Sequence, residues 1–288
     1  MVLKRLRLLN WSLRKLRLPI GFRDLVVEIG SGGNPHPASD VLVEKFVDSS
    51  HRLKSIKIDR EIVLADACKL PFRDNAFDYS ISFHVLEHVD QPADFIREIS
   101  RISNAGYIET PNVLYERMFP LDVHLLEVAV SRDQLLIFRK PSSVHDEMLQ
   151  QANLVGNDRK WKRIFNSMPE LFHVCYKWQN EIKYRIVNPD QSLSWHIFPE
   201  AGLLTNDISH PGSVESHDRG FSLRQLIIQS LRFFYSTLSR RKVDIDSLLA
   251  CPECKGSLML VGEKYNCSVC NLAYRASPIR DFTKSIIS

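Results

Sequence analysis

Cys251, Cys254, Cys267 and Cys270 form two Cys-x2-Cys pairs separated by 12 residues. Thiolates on two such tight turns are soft ligands, and four of them close around one tetrahedral Zn2+. Pro252 and Gly256 suit the first turn. A redox dithiol is the other chemistry open to a Cys-x2-Cys pair, but two matched pairs in so short a segment favour a metal. A unit of this size buries too little to fold alone, and structural zinc contributes on the order of 10–16 kcal/mol in finger peptides. The two remaining cysteines, Cys68 and Cys175, stand alone. That distribution suits a reducing compartment, not a disulfide framework.

A second constellation lies in the N-terminal half. Val26, Val27 and Ile29 form a short apolar run that runs straight into Gly30-Ser31-Gly32-Gly33. Glycines after a strand let the backbone come close to a ligand and allow positive φ. Glu28 lies inside that run, and Glu44 ends the next one, Val41–Val43. Asp66 follows a third apolar run, Ile62–Ala65, and His84 follows a fourth, Tyr79–Phe83. Imidazole is the side chain that most readily serves as a base near neutrality. His84, His88 and His124 are the candidates, and none of the three is singled out.

The elements that must hold these groups alternate. After the fourth strand, Asp90 is placed to cap a helix that starts at Gln91-Pro92 and repeats Phe95, Ile96, Ile99 and Ile102 at helical spacing. A further strand, Gly106–Thr110, ends at Pro111. Alternating strands and helices of this size predict an α/β fold: a doubly wound, parallel, Rossmann-like sheet with helices on both faces. Ligands bind outside the carboxyl ends of such strands, where the glycines, Asp66 and His84 all fall. Pro35 and Pro37 leave no room for a long helix after the glycine turn.

Three stretches together, Glu-Ile-Gly-Ser-Gly-Gly, Asp-Ala-x-x-Leu-Pro-Phe-x-Asp-x-x-Phe-Asp and Ser-x-His-Val-Leu-Glu-His-Val, resemble the class I S-adenosylmethionine-dependent methyltransferases. The likeness covers roughly residues 22–140 and is nearest to members acting on small molecules and lipids. It implies that Glu28, Gly30 and Gly32 hold the methionine part of S-adenosyl-L-methionine. It also implies that Glu44 takes the ribose hydroxyls, that Asp66 and the backbone of Ala67 hold the adenine, and that Phe83 and His84 border the sulfonium. Asn34 stands where many relatives have a third glycine, and Glu44 comes sooner than the usual acid, with Asp48 and Asp59 as substitutes. The C-terminal segment, about 247–282, resembles the small zinc-ribbon activator proteins of methyltransferases, which partner a catalytic subunit. That likeness implies a structural Zn2+ and a docking role.

The chain then divides into a basic amphipathic helix (1–20), a cofactor-binding core (21–140), an aromatic-rich acceptor region with linker (141–220), a connecting helix (221–246) and the ribbon (247–288). His124–Val130 and Gln134–Arg139 read as the antiparallel pair that closes the fold, around the turn Ser131-Arg132-Asp133. Leu171–Gln179 and Ile182–Val187 read as a hairpin, with Val174, Tyr176 and Trp178 on its packed face. In the first helix Leu3, Leu6, Leu9, Leu13 and Leu16 lie opposite Lys4, Arg7, Arg14 and Lys15. Such a helix either packs on the domain or, with the connecting helix, makes a peripheral membrane contact. No stretch approaches the ~18 apolar residues of a membrane span, and a cytoplasmic protein is expected.

The net charge of +4 over 288 residues is too mild to argue for nucleic acid. The expected activity is methyl transfer to a small-molecule, glycan or lipid acceptor, with the ribbon open to protein docking. A tRNA or protein methyltransferase is the nearer alternative. Against it, Thr110-Pro111-Asn112 replaces the Asn-Pro-Pro-aromatic motif of amino-group methyltransferases. A non-catalytic scaffold is the more distant alternative.

Overall fold

The computed structural model describes residues 2–46, 56–119, 121, 123–140, 159–190, 230 and 242–286. The linker read at 203–220, the helix read at Phe221–Leu238 save residue 230, Asp48, and His145, His196, His210 and His217 lie outside these residues.

Strand β1 (Val26–Ile29) is buried at all four positions and sits in the middle of five parallel strands of a ten-stranded sheet. Parallel neighbours follow on one side as β2 (Val41–Glu44) and β3 (Glu61–Leu64), and on the other as β4 (Phe77–Phe83) and β5 (Ser103–Pro111). The order reverses between β1 and β4, so the carboxyl ends of these two strands flank the crevice where open α/β sheets take ligands. Val26-Val27, Val41–Val43 and Ile62–Leu64 are short apolar runs buried throughout, which suits strands covered on both faces.

The connection from β4 to β5 is helix α2 (Pro92–Ile102), which buries Phe95, Ile96, Ile99 and Ile102 on the sheet. Its N-cap is Gln91 with no capping side chain, not Asp90 as expected, because Pro92 takes the first helical position. Among the described residues the opposite face carries no crossover helix. Leu18 and Ile20 cover Val26, Tyr79, Ile81 and Tyr107 there. The β1–β2 connection spans only residues 30–40 and carries both prolines, which keeps it non-helical as expected.

Two pairings differ from the sequence reading. The Ser131-Arg132-Asp133 turn does join an antiparallel pair, β6 (Leu126–Ser131) and β7 (Gln134–Arg139). That pair forms a separate three-stranded sheet and does not close the main one. The antiparallel closing strand is β8 (His173–Gln179), which pairs with β5 along its whole length and buries Val174, Tyr176 and Trp178. The hairpin expected at 171–187 does not form: β9 (Tyr184–Ile186) leaves β8 and joins β7 in parallel, with one bridge left between Gln179 and Glu181. The burial pattern of a strand is local information. Its choice of partner is not.

The ribbon continues the main sheet. Strands β10 (Leu258–Val261), β11 (Lys264–Cys267), β12 (Ala273–Arg275) and β13 (Arg280–Ile286) form an antiparallel meander, and β13 then pairs in parallel with the edge strand β3. Tyr265, Cys267, Tyr274 and Phe282 belong to one apolar cluster with Val63, Phe72 and Leu70. A short helix, α4 (Ile245–Leu248), leads in, and Leu249 bridges Phe72. Lys255 reaches Glu98 on α2 at 2.7 Å, Arg280 reaches Glu61 at 2.9 Å, and Lys69 reaches Glu253 at 3.0 Å. An exposed edge strand is thereby covered from within the same chain.

Candidate functional site

The glycine turn is held by Gly30, whose N–H donates to the Val43 carbonyl at 2.8 Å. Gly30 has φ +71°, and a Cβ there would lie 2.2 Å from Val85. Gly32 has φ +57°, and no atom of the described residues lies within 4 Å of where a Cβ would sit. Glu44, at the end of β2, is buried and aims its carboxylate at this turn, accepting from the Ser31 hydroxyl at 2.8 Å and from the Gly32 N–H. The structure therefore brings Gly30, Gly32 and Glu44 together around one opening. Asp59 is engaged elsewhere, paired with Arg60 at 2.7 Å and Lys57 at 3.2 Å.

Glu28 is turned away from that opening. Its carboxyl is 1% exposed and accepts from the His36 N–H and from the Ser39 hydroxyl at 2.7 Å, tying down the proline-containing loop. Burial pushes its pKa up to about 7, although both donors and the nearby Lys15 and Arg60 favour the charged form.

Asp66 sits at the end of β3, accepts from the Cys68 N–H at 2.8 Å and pairs with Lys45 at 2.7 Å. Burial opposes ionisation, but these partners hold its carboxyl below the usual carboxylate range. Ala67 is half-buried beside it and packs against the core. Phe83 ends β4 and His84 follows it. The Lys15 ammonium lies 3.7 Å over the Phe83 ring, and His84 takes φ +56° while its N–H donates to the Glu109 carbonyl at 2.7 Å.

Buried carboxylates that the sequence reading did not select surround these residues. Glu109 on β5 is clamped by Arg14 through two hydrogen bonds of 2.8 and 2.6 Å, and it accepts from the Tyr107 hydroxyl at 2.8 Å. Burial would raise its pKa, but Lys15, Arg14 and His84 outweigh it and hold Glu109 at about 2. Arg7 pairs with Glu170 at 2.8 Å. The cations of the N-terminal helix α1 (Val2–Leu13) and the turn after it thus face the protein at Arg7, Arg14 and Lys15. The packed reading from the sequence put the cations on a solvated face, whereas Arg14 and Lys15 turn onto the buried Glu109.

His88 and His124 lie close, with ring centroids 4.7 Å apart, and Glu87 lies between His84 and the pair. Burial opposes the Glu87 charge, yet His84, His88 and His124 hold its carboxyl at about 2. Glu87 stands inside the Val-Leu-Glu-His-Val stretch and Glu109 at a strand's carboxyl end, so position on the sheet was the signal that could have found them.

In the ribbon the four thiols converge. Sγ–Sγ separations are 3.6 Å for Cys251–Cys270, 3.4 Å for Cys254–Cys267 and 3.7 Å for Cys254–Cys270. Four ligands at ~2.3 Å from a tetrahedral Zn2+ lie about 3.8 Å apart, whereas a disulfide needs ~2.05 Å. The donor set fits a metal and not a pair of disulfides.

Residues 41–108 match the family model described as a methyltransferase domain. None of the curated proteins matches the chain. Among solved structures, a methyltransferase from Thermotoga maritima, described as a possible histamine N-methyltransferase, is 22% identical, with 39% of this chain and 54% of that one covered and a TM-score of 0.27. The chain therefore spans about half the length of that protein. The Haloferax volcanii complex of the Trm112 methyltransferase activator with a methyltransferase is 17% identical (44% and 72% covered, TM-score 0.30). A protein from Pyrococcus horikoshii is 18% identical (51% and 80% covered, TM-score 0.32). The matched segment runs from β2 through β5, the strands that carry Glu44, Asp66, Phe83 and His84. Residues 41–108 are thus similar to a methyltransferase domain, and a four-cysteine ribbon is built onto the edge of the same sheet.

Proposed function

We propose that the protein transfers a methyl group from S-adenosyl-L-methionine to a small-molecule, glycan or lipid acceptor, with Zn2+ held structurally by Cys251, Cys254, Cys267 and Cys270. The observation that carries the reading is the buried Glu44 carboxylate at the end of β2, aimed at the Ser31-Gly32 turn at the head of the switch point. A carboxylate there suits a pair of vicinal hydroxyls, and the open side of Gly32 lets a ligand approach the backbone. In this reading Gly30 and Gly32 bind the methionine end, Asp66 and Ala67 the adenine, and Phe83 and His84 flank the transfer point. Glu28 contributes by fixing the loop that bears on the turn.

When bound, the cofactor supplies an electrophilic methyl group. The chain's own part is to bind, align and exclude water, and alignment alone is worth up to ~7–11 kcal/mol. The acceptor class is supported by Thr110, which stands where the amino-group motif has its Asn, carries no amide and donates its hydroxyl to Glu87 at 2.7 Å. Asn112 is no substitute: its side chain caps α3 (Val113–Met118) by accepting from the Tyr115 N–H at 3.0 Å and donates to the Leu171 carbonyl at 2.6 Å. Cytoplasmic residence suits the free thiols Cys68 and Cys175. No helix among the described residues is long and apolar enough to cross a membrane.

Calorimetric titration with S-adenosylmethionine and S-adenosylhomocysteine tests the reading, with Gly32→Arg and Glu44→Ala beside the intact chain. Micromolar binding that both substitutions abolish is the expected result. No binding to the intact chain would favour a non-catalytic scaffold.

A further inference from the structure

Glu87 is 0% exposed, and one of its carboxylate oxygens accepts from the Thr110 hydroxyl at 2.7 Å. Among the described residues the other, Oε1, accepts no hydrogen bond and meets only the His84 ring, whose Nδ1 forms an ion-pair contact with it at 3.3 Å. An anionic oxygen left unsatisfied in the interior is costly unless something positive meets it. Two imidazoles stand next to it. His88 uses Nδ1 on the Val123 carbonyl at 2.9 Å, and His124 uses Nδ1 on the Glu116 carboxylate. Each of these bonds fixes a ring tautomer and leaves Nε2 as the ligand atom. One ligand atom from each of Glu87, His88 and His124 lies within 4.8 Å of the others.

We propose that Glu87, His88 and His124 form a second metal site, which takes a divalent first-row transition cation. Two imidazoles and one carboxylate are borderline ligands that suit Zn2+, Co2+ or Fe2+, and not the all-oxygen shell of Mg2+ or Ca2+. Ligands ~2.0–2.1 Å from such a cation lie about 3.4 Å apart, so small side-chain rotations close the site. Its outer contacts are those that metal-bound histidines use, a carboxylate on one ring and a backbone carbonyl on the other. Glu116 is in turn held by Lys140 at 3.3 Å, so the positioning carboxylate is itself charge-balanced. Three protein ligands leave a fourth tetrahedral position. Any role in catalysis rests on the methyl-transfer reading, in which an acceptor oxygen bound there is made more acidic; the binding itself does not rest on it.

The test is metal content and optical absorption of the full chain titrated with Co2+. Two equivalents per chain are expected, the ribbon's with thiolate-to-cobalt charge transfer and the second with d–d bands alone. Glu87→Gln and His124→Gln should each abolish the second equivalent and leave the charge-transfer band intact, which also reports that the variants are folded. Glu116→Gln should weaken it about 10–100-fold, as outer-contact changes do. A single, thiolate-bound equivalent in the intact chain overturns the proposal, as does a second one that survives both ligand substitutions. S-adenosylmethionine binding measured on the same samples separates this outcome from failure of the methyltransferase reading.

Discussion

The β3 edge of the sheet and its carboxyl end place charge in opposite ways. At the edge, ribbon and methyltransferase domain meet through backbone pairing, a shared apolar cluster and ion pairs between opposite charges: Lys255–Glu98, Arg280–Glu61 and Lys69–Glu253. At the carboxyl end, Glu28, Glu44, Glu87, Glu109 and Glu116 are all buried within a few residues of the strand termini. A fold optimised for stability alone would not gather five carboxylates there, since each must be neutralised or satisfied. The edge is built to hold, and the end is built to bind. Perturbing the edge should therefore change stability with little effect on cofactor affinity, and perturbing Gly32 or Glu44 at the end should do the reverse.

The largest effect expected is at the edge. Stripping the ribbon metal with a chelator, or Cys251→Ser, should remove on the order of 10 kcal/mol of binding free energy that is also folding free energy. The meander and the cover on β3 would be lost together, visible as hydrogen exchange appearing along Glu61–Leu64. Ribbon exchange alone, with β3 still protected, would show that the two parts are not one unit.

Next comes Phe72→Ala. Phe72 is fully buried, contacts Phe77 edge-on at 4.9 Å and bridges Leu249, so its loss should cost ~3–5 kcal/mol in denaturant unfolding while S-adenosylmethionine affinity stays within twofold.

Glu28 sharpens the comparison through pH. Its folded pKa of about 7 lies above the ordinary 4.5. Its contribution to stability is therefore full below about 4.5 and is lost as pH rises through 7, because the unfolded chain ionises first. The span is about 3 kcal/mol. Glu28→Gln should flatten that slope between pH 4.5 and 7 in equilibrium unfolding. An unchanged slope would mean that the loop donors already stabilise the anion.

The smallest effect belongs to Lys69→Gln. Lys69 and Glu253 are both about half exposed, so losing this ion pair should cost at most about 1 kcal/mol at low salt and less at high salt, read from the denaturation midpoint.

The particular residues show what a sequence can carry. Strands β1 to β5, the helix at Phe95–Ile102 and the missing helix after Gly33 follow from local patterning and proline chemistry. The cysteine cluster follows from spacing, because tight turns bring Cys-x2-Cys thiols together whatever surrounds them. The pairing of β8 with β5 was not legible, since alternation at Val174, Tyr176 and Trp178 states that one face is buried but not against which neighbour. The same holds for the seam between β13 and β3, whose residues are more than 200 positions apart in the chain. Nor did the amphipathic pattern of the first helix reveal that Arg14 would close on Glu109, because a cation on a helix face reads the same toward solvent or toward a buried acid.

By itself the sequence determined the local elements, the flexible turn at Gly30 to Gly33 and the thiolate set, since each depends on neighbours within one or two turns of chain. Only the tertiary structure decided that Glu44 faces that turn, that Glu28 does not, and that Glu87, His88 and His124 meet. Those outcomes depend on strand order and loop packing, which the chain settles through contacts between distant segments, with each buried charge set by whichever partner the fold brings to it.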